Sequence, residues 1–232
     1  MQFRDQNRLK TVTFSFDDGI TQDIRLIEML NEYGLKCTFN LNSGLLGQKG
    51  TLNLQGQRIS HYKIHPEDVK TIYDGHEVAV HTLTHPDLTK QNEAEIIRQV
   101  EQDRLALSEL VGYEVVGMAY PGGRYDRFVT QIVREHTGIR YARTTMNTDS
   151  FDLQPKLHRF HPNVSHIEFA RLMEMGQRFV DLETNVPQIF YIWGHSYEMD
   201  IHSNYRNQLE TFFKLISNRS DIFYGTNQEV LL

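Results

Sequence analysis

The chain contains one cysteine, Cys37, in 232 residues, and it has no apolar run that approaches the length of a membrane span. A single cysteine excludes an intramolecular disulfide, and its apolar neighbours predict a small buried core residue. The 24 basic and 30 acidic side chains are scattered along the sequence, so there is no basic stripe for a nucleic-acid backbone. We therefore expect neither a nucleic acid nor a membrane as a partner, and the oligomeric state is left open.

No segment rich in proline, glycine or serine divides the chain. Its content of 39% hydrophobic and 23% charged residues is typical of a globular protein. A chain of this length can bury one large core, which predicts a single domain over residues 1–232. The first ten residues are polar and lack the apolar stretch of a signal peptide, so the sequence predicts a cytoplasmic protein.

Hydrophobic periodicity predicts strands that alternate with helices. Val12, Phe14 and Phe16 alternate with polar residues as in a strand, and the next apolar residues follow helical spacing. Further strands are predicted at residues 37–42, 77–80, 115–120, 139–143, 188–193 and 221–223. The glycine-rich residues 43–60 predict a long loop or a small hairpin. The alternation favours parallel β/α units, and about seven of them in one α/β domain favour closure into a barrel.

Two adjacent carboxylates, Asp17 and Asp18, follow the first predicted strand and precede Gly19. The carboxyl ends of strands are where α/β proteins place their chemistry. Neighbouring carboxylates repel each other when both are ionised, so a cation or a hydrogen-bond donor is expected beside them. The alternative is an Asp-Asp-Gly turn with both side chains in water.

Two histidines, His81 and His85, follow the predicted strand 77–80. On a helical turn a spacing of four residues places both side chains on one face, where they can reach one metal ion. Pro86 limits such a helix to a single turn or a loop. His61 and His65 have the same spacing, but they follow the glycine-rich segment and not an apolar strand, so metal binding is predicted for the first pair.

Asp18, His81 and His85 together predict a metal site of two histidines and one carboxylate, with open positions for water and substrate. Zinc suits these ligands best, and cobalt, nickel or iron are alternatives. Asp17 is predicted to be the base for an attacking water, and His195, at the end of strand 188–193, the acid for a leaving amine. The alternative for His195 is a histidine that only caps a strand.

These stretches resemble the polysaccharide deacetylases of carbohydrate esterase family four. Residues 15–19 (Ser-Phe-Asp-Asp-Gly) match the first family motif, residues 81–85 (His-Thr-Leu-Thr-His) the second, and residues 193–195 (Trp-Gly-His) the fifth. The resemblance runs over residues 11–225 and implies an irregular (β/α)7 barrel that removes N-acetyl or O-acetyl groups. It also implies the same roles for Asp17, Asp18 and the two histidines.

The third family motif begins with an arginine that orients the catalytic aspartate, but Ala119 stands at that position here. Tyr120, Pro121 and Gly122 follow it, and the resemblance implies that the backbone N–H of Gly122 helps to bind the oxyanion. Either Arg124 reaches back to the aspartate, or Asp17 is held differently.

The fourth motif is approximated by residues 149–153, where Asp152 is predicted to orient the acid His195. Trp193 of the fifth motif is predicted to form the apolar wall around a small acyl group. The aromatic residues that are candidates for stacking on a sugar, or alternatively for the core, are Tyr120, Tyr125, Phe151 and Trp193. A place at the rim of the site is the expectation for His158, His161 and His166.

The sequence thus predicts metal-dependent removal of the acetyl group from an N-acetylated amino sugar or short oligosaccharide. A small cytoplasmic carbohydrate is favoured over a cell-wall polymer because the sequence shows no signal peptide. One alternative keeps the metal and hydrolyses a cyclic amide or imide, a departure that the missing arginine makes plausible. A less favoured alternative is a carbohydrate-binding protein without activity, which would not need both Asp17 and His195.

Overall fold

The computed structural model describes residues 8–201 and 204–232. Its strands, in chain order, are β1 (Lys10–Asp17), β2 (Cys37–Leu41), β3 (Lys49–Leu54), β4 (Gln57–Tyr62), β5 (Glu77–Val80), β6 (Gly117–Ala119), β7 (Tyr141–Arg143), β8 (Val164–Ser165), β9 (Gln188–Gly194) and β10 (Ile222–Tyr224). Its α-helices are α1 (Asp23–Glu32), α2 (Val69–Ile72), α3 (Glu93–Val111), α4 (Arg127–His136), α5 (Phe169–Val180), α6 (Tyr205–Ile216) and α7 (Asn227–Leu231). Within the described ranges, no helix is both long enough and apolar enough to cross a membrane.

The main sheet has eight strands, and β1 is an interior strand with three pairing partners. One edge of β1 pairs with β9, and the other edge pairs first with β10 and then with β2. The sheet continues from β2 through β5 and β6 to β7, and from β9 to β8. All of these pairs are parallel, so the carboxyl ends of the strands meet on one side.

The segment from Phe160 to Ser165 connects the two outer strands of this sheet. The N–H of Phe160 donates to the carbonyl oxygen of Ala142 in β7, and the N–H of Thr144 donates to the carbonyl oxygen of Phe160, both at 2.9 Å. The same segment then forms β8, which pairs with β9. The sheet therefore curls into an irregular barrel of the (β/α)7 type, and the predicted alternation of strands and helices is confirmed.

β1 separates an apolar outer layer from a polar barrel interior. Phe14 packs edge-on against Phe213 of α6, with ring centroids 5.5 Å apart. Ser15 faces the other way, and its hydroxyl accepts hydrogen bonds from Asn40 and Arg143. Alternate residues of a strand share a face, so Asp17 continues the polar side of β1 to the mouth of the barrel.

The glycine-rich segment forms the hairpin of β3 and β4, as one of the two alternatives predicted. Its two-residue turn, Gln55-Gly56, has positive φ at both positions, which is the geometry that a tight hairpin favours. The N–H of Thr21 donates to the carbonyl oxygen of Tyr62 at 2.8 Å, and the side-chain amide of Gln57 donates to the carbonyl oxygen of Ile201 at 2.9 Å. These bonds fix the hairpin against the loops that follow β1 and β9.

Helix α1 begins three residues later than its apolar spacing predicts. The N–H of Ile20 donates to the carboxylate of Asp23 at 3.1 Å, and Ile20 also forms an isolated bridge with Lys63 of the hairpin connection. Because these contacts hold Ile20 in an extended conformation, the residues directly after the paired aspartates stay outside the helix.

Candidate active site

Asp18, His81 and His85 come together at the carboxyl ends of β1 and β5. One potential ligand atom from each lies within 4.8 Å of the others. Asp18 and His81 are buried, whereas His85 is exposed. The three residues predicted as metal ligands therefore form a cluster that is open on one side.

His81 presents a buried, unpartnered nitrogen to this cluster. Its Nδ1 lies 2.9 Å from the carbonyl oxygen of Ala119, so Nδ1 carries the proton and Nε2 keeps its lone pair. Nε2 has no hydrogen-bond partner in the described part of the chain. Burial lowers the pKa of His81 to about 4, which keeps the ring neutral at pH 7. A neutral nitrogen held in this way fits a divalent metal, as do the oxygen of Asp18 and the nitrogen of His85.

The backbone around the cluster adopts conformations that are rare for residues with side chains. Asp18, Thr82 and His85 have φ angles of 88°, 67° and 58°. The side-chain amide of Asn42 donates to the carbonyl oxygens of His81 and Thr82, at 2.6 and 2.9 Å, and supports this loop. Residues 81–85 thus form a loop and not a helical turn, and strained backbone of this kind is found mainly at functional sites.

Asp17 is buried beside the cluster and is held by Arg143. The guanidinium Nη2 donates to both carboxylate oxygens, and the amide of Asn40 donates to Oδ1 at 2.9 Å. Burial by itself would raise the pKa of Asp17, but the charge of Arg143, with His81 and His195, holds it below its ordinary value. Asp17 is therefore ionised at neutral pH, as a general base must be.

Arg143 supplies the guanidinium that is missing at Ala119. The two residues are partners in the parallel pairing of β6 and β7, so their side chains extend from the same face of the sheet. Arg124 is exposed, and its guanidinium lies 2.6 Å from the carboxylate of Asp87. The suggestion that Arg124 reaches back to Asp17 is therefore wrong, and the alternative, that Asp17 is held differently, is correct.

His195 is a second histidine beside Asp17. The Oδ2 atom of Asp17 is 3.9 Å from the Nε2 atoms of both rings. Burial would lower the pKa of His195, but the adjacent carboxylate of Glu198, together with Asp17 and Asp18, raises it to about 9. The side chain is therefore an imidazolium at neutral pH, the form that can donate a proton.

Glu198 takes the place predicted for Asp152. Its Oε1 lies 3.5 Å from Nδ1 of His195, and its Oε2 accepts hydrogen bonds from His166 and from the backbone N–H of His195, at 2.7 and 2.9 Å. Asp152 accepts a hydrogen bond from Gln188, the first residue of β9, whereas His195 follows the last residue of that strand. The prediction that Asp152 orients His195 is therefore wrong. His166 is buried, so the prediction that it lies at the rim of the site is wrong.

The aromatic candidates divide between the core and the site. Tyr120 is fully buried and its hydroxyl donates to the carbonyl oxygen of His158, so it cannot stack on a sugar. Phe151 is also buried, against Phe179. Trp193 is half-buried and covers the side chain of Arg143, whose guanidinium carbon lies 5.1 Å from the ring centroid.

The third-motif residues Pro121 and Gly122 follow Tyr120 at the end of β6. Pro121 is buried, and Gly122 adopts a φ of 57° and lines the cleft that leads to the metal cluster. The cleft has a volume of about 420 Å³, and His195 and Tyr197 also line it. Gly122 is thus placed where its backbone can approach a ligand.

The hairpin brings two basic side chains to the predicted metal ligand Asp18. His61 Nε2 lies 3.0 Å from Oδ2 of Asp18, and the ammonium of Lys63 donates to its backbone oxygen at 2.6 Å. His65 is exposed and lies next to Gly47 instead. Sequence spacing gave no reason to separate His61 from His65, and only the fold shows that His61 belongs to the site.

The family model described as polysaccharide deacetylase matches residues 4–142, which is more than half of the chain. The chain belongs to the polysaccharide deacetylase family. The resemblance recognised in its motifs is confirmed. The matched region carries Asp17, Asp18 and the two histidines, whereas Arg143 and His195 lie beyond its end.

Among curated proteins, the chain is similar to a peptidoglycan-N-acetylglucosamine deacetylase of Listeria monocytogenes, with 24% identity over 145 residues, 61% of this chain and 27% of that protein. It is 29% identical over 101 residues to a chitooligosaccharide deacetylase of Rhizobium leguminosarum, covering 42% of this chain and 40% of that protein. The chain therefore spans less than half the length of either relative. Among solved structures, a polysaccharide deacetylase-like protein from Mycobacterium smegmatis has the same fold, with a TM-score of 0.70, 15% identity and coverage of 100% of this chain and 91% of that one.

Proposed function

We propose that this chain is a metal-dependent hydrolase that removes the acetyl group from an N-acetylated amino sugar or short oligosaccharide. The observation that carries the proposal is the position of Asp17, whose Oδ2 atom lies 3.9 Å from both His81 and His195. An ionised carboxylate thus lies close to both a predicted metal ligand and an imidazolium. Hydrolysis of an amide needs these three functions together: a base, an acid and a Lewis acid.

Asp18, His81 and His85 would hold one divalent metal. Their donor set of two imidazole nitrogens and one carboxylate favours zinc, with cobalt, nickel or iron as alternatives. When bound, the metal supplies Lewis acidity to the attacking water and to the carbonyl of the acetyl group.

The side chains around this site supply the proton transfers. Asp17 accepts a proton from the attacking water, and Arg143 keeps its carboxylate ionised and fixed in orientation while it does so. His195 donates a proton to the nitrogen of the leaving amino sugar. The N–H of Gly122 donates to the carbonyl oxygen as negative charge develops there.

The shape of the cleft supports a short substrate. The hairpin forms one side with Lys49, Gly50 and Leu52, and the barrel mouth forms the other. A volume of about 420 Å³ accommodates roughly one or two sugar rings. Longer chains would have to leave through its open side.

The two alternative functions receive less support from the same geometry. The argument for hydrolysis of a cyclic amide is the absence of the motif arginine, but Arg143 supplies that guanidinium from β7. Binding of a carbohydrate without catalysis does not require an ionised Asp17 beside a protonated His195. Neither alternative explains the site as economically as deacetylation.

Acetate release tests the proposal directly. The assay uses N-acetylglucosamine and its oligomers of increasing length, with metal-stripped protein to which zinc, cobalt or nickel is restored. We expect metal-dependent acetate release that Asp17→Asn abolishes and that the exposed control Asp149→Asn leaves unchanged. Acetate release that persists in Asp17→Asn would contradict the assigned base, and turnover of a cyclic ureide without any acetate release would favour the alternative substrate.

A further inference from the structure

A second cleft, with a volume of about 700 Å³, lies between α4 and the turn at residues 155–159. It is lined by five cationic side chains and by no carboxylate: Arg127, Arg134, Arg140, Lys156 and Arg159. These residues are dispersed over residues 127–159, which is why they do not appear in the sequence as a basic block. The fold gathers them on one surface of a chain whose net charge is −6.

Most of this positive charge is not neutralised by the protein. In residues 8–201 and 204–232, only Arg134 of the five has a carboxylate within 4 Å, that of its neighbour Glu135 at 2.6 Å. Arg127, Arg140 and Lys156 are exposed and make no ion pair there. Like charges that line one cleft repel each other, so an anion in the cleft would be stabilised by several of them at once.

The cleft has a fixed backbone. Arg127 and Arg134 are seven residues apart on α4, which places them on one face of the helix. The opposite wall is the turn around His158, whose ring nitrogen Nε2 lies 2.9 Å from the carbonyl oxygen of Ile139 and whose carbonyl oxygen accepts the hydroxyl of Tyr120 at 2.9 Å. Ligand binding to a preformed site loses no free energy to the ordering of its backbone.

We propose that this basic cleft binds a compact ligand that carries two or more phosphate groups, of the size of a nucleoside diphosphate. Arginine guanidinium groups match phosphate oxygens in pairs, and four of the five cations are arginines. The cleft volume lies in the usual range for small-ligand sites. A bounded cleft favours a compact ligand over a nucleic-acid backbone, which would need a continuous basic stripe.

The cleft is separate from the candidate active site. The residues that line it include none of those that line the 420 Å³ cleft beside Asp18 and His195. The proposal therefore does not depend on the proposed deacetylase activity, and each can fail without the other.

Isothermal titration calorimetry with inorganic tripolyphosphate and with a nucleoside diphosphate tests the proposal. We expect one ligand per chain, an affinity that weakens with added salt, and at least about a tenfold loss of affinity in the double variant Arg140→Gln plus Lys156→Gln. The matched control is Lys70→Gln plus Arg206→Gln, which removes the same charge from exposed positions outside the cleft. The variant His81→Gln should bind as well as the parent, which separates the cleft from phosphate bound at the metal site.

Three results would overturn the proposal: no binding at millimolar ligand, equal loss in the cleft and control variants, or binding that disappears in His81→Gln. Tighter binding of the nucleoside diphosphate than of tripolyphosphate would indicate that the cleft also contacts the nucleoside, and equal binding would restrict recognition to the phosphates. If a single-stranded oligonucleotide binds and neither small ligand does, the proposal of a compact ligand is wrong and the cleft binds a nucleic acid.

Discussion

Arg143 holds the carboxylate of Asp17 from the strand beside the one where the family places its arginine. Its register partner on β6 is Ala119, so the guanidinium reaches the aspartate from the neighbouring position of the same sheet face. The functional group is retained although the motif residue is lost. This relationship can be tested by moving the arginine back.

We expect Arg143→Ala to lower kcat by about 100-fold or more, because Asp17 loses both its orientation and its charge partner. Breaking a buried ion pair also destabilises a protein by about 3–5 kcal/mol, so thermal melting must accompany the kinetics. Arg143→Lys should lose less, since it keeps the charge but not the contact with both oxygens. Adding Ala119→Arg to Arg143→Ala should restore part of kcat. If the double variant folds but kcat does not recover, an arginine at position 119 is not equivalent to one at position 143.

The pH dependence of kcat should identify the carboxylate that raises the pKa of His195. The carboxylate of Glu198 raises the pKa of His195, which reaches about 9, so the proton donor is lost only as the pH rises past that value. In Glu198→Gln the imidazolium loses this support, and the alkaline limb of kcat should move down by about one pH unit or more. Asp152→Asn is the control, and its profile should match the parent. A shift in Asp152→Asn alone would contradict the assignment.

Metal binding should distinguish two histidine pairs of identical spacing. We expect His81→Gln to reduce zinc affinity by at least about 100-fold, because the buried Nε2 is lost, whereas His65→Gln should bind zinc as tightly as the parent. Zinc titration of the chelator-treated protein measures this difference. His61→Gln should keep one zinc per chain with weaker affinity, since His61 contacts Asp18 from the hairpin. Unchanged zinc binding in His81→Gln would remove the proposed ligand set.

Asp23 should make the fold less stable as the pH rises towards neutrality. Burial raises its pKa to about 7 although Ser196 and Tyr73 donate hydrogen bonds to it, compared with 3.8 for an ordinary aspartate. The folded state therefore holds the proton more tightly, so this contribution is complete below about pH 4 and is lost as the pH passes about 7.

Urea denaturation at pH 5 and pH 8 measures the effect of Asp23. In the parent protein the free energy of unfolding should fall between pH 5 and pH 8 as Asp23 loses its proton. We expect this fall to be smaller by about 2 kcal/mol in Asp23→Asn. The exposed control Asp68→Asn should keep the full fall. An unchanged fall in Asp23→Asn would show that other buried groups, such as Asp103, account for it.

The sequence predicted those parts of the site that depend on short stretches of chain. Strand periodicity placed Asp17, Asp18 and His81 at strand ends, and the parallel arrangement then brought them together. Arg143 could not be found in this way, because its role depends on the register between β6 and β7. Glu198 lies only three residues after His195, but the family motif predicts Asp152 for this role. The cytoplasmic location stays a prediction from the sequence.

The place of β1 in the sheet also constrains how the chain can fold during synthesis. β1 pairs along most of one edge with β9 and, through its first three residues, along the other edge with β10, and both partners follow it by most of the chain. Contacts between residues so distant in sequence form slowly, because a long loop must close first. The strand that carries Asp17 therefore remains without its principal partner until the ribosome has made residues 188–194. During that interval β1 exposes the unpaired N–H and C=O groups of its edge, and we expect the nascent chain to depend on chaperones more than a helical bundle of equal length would.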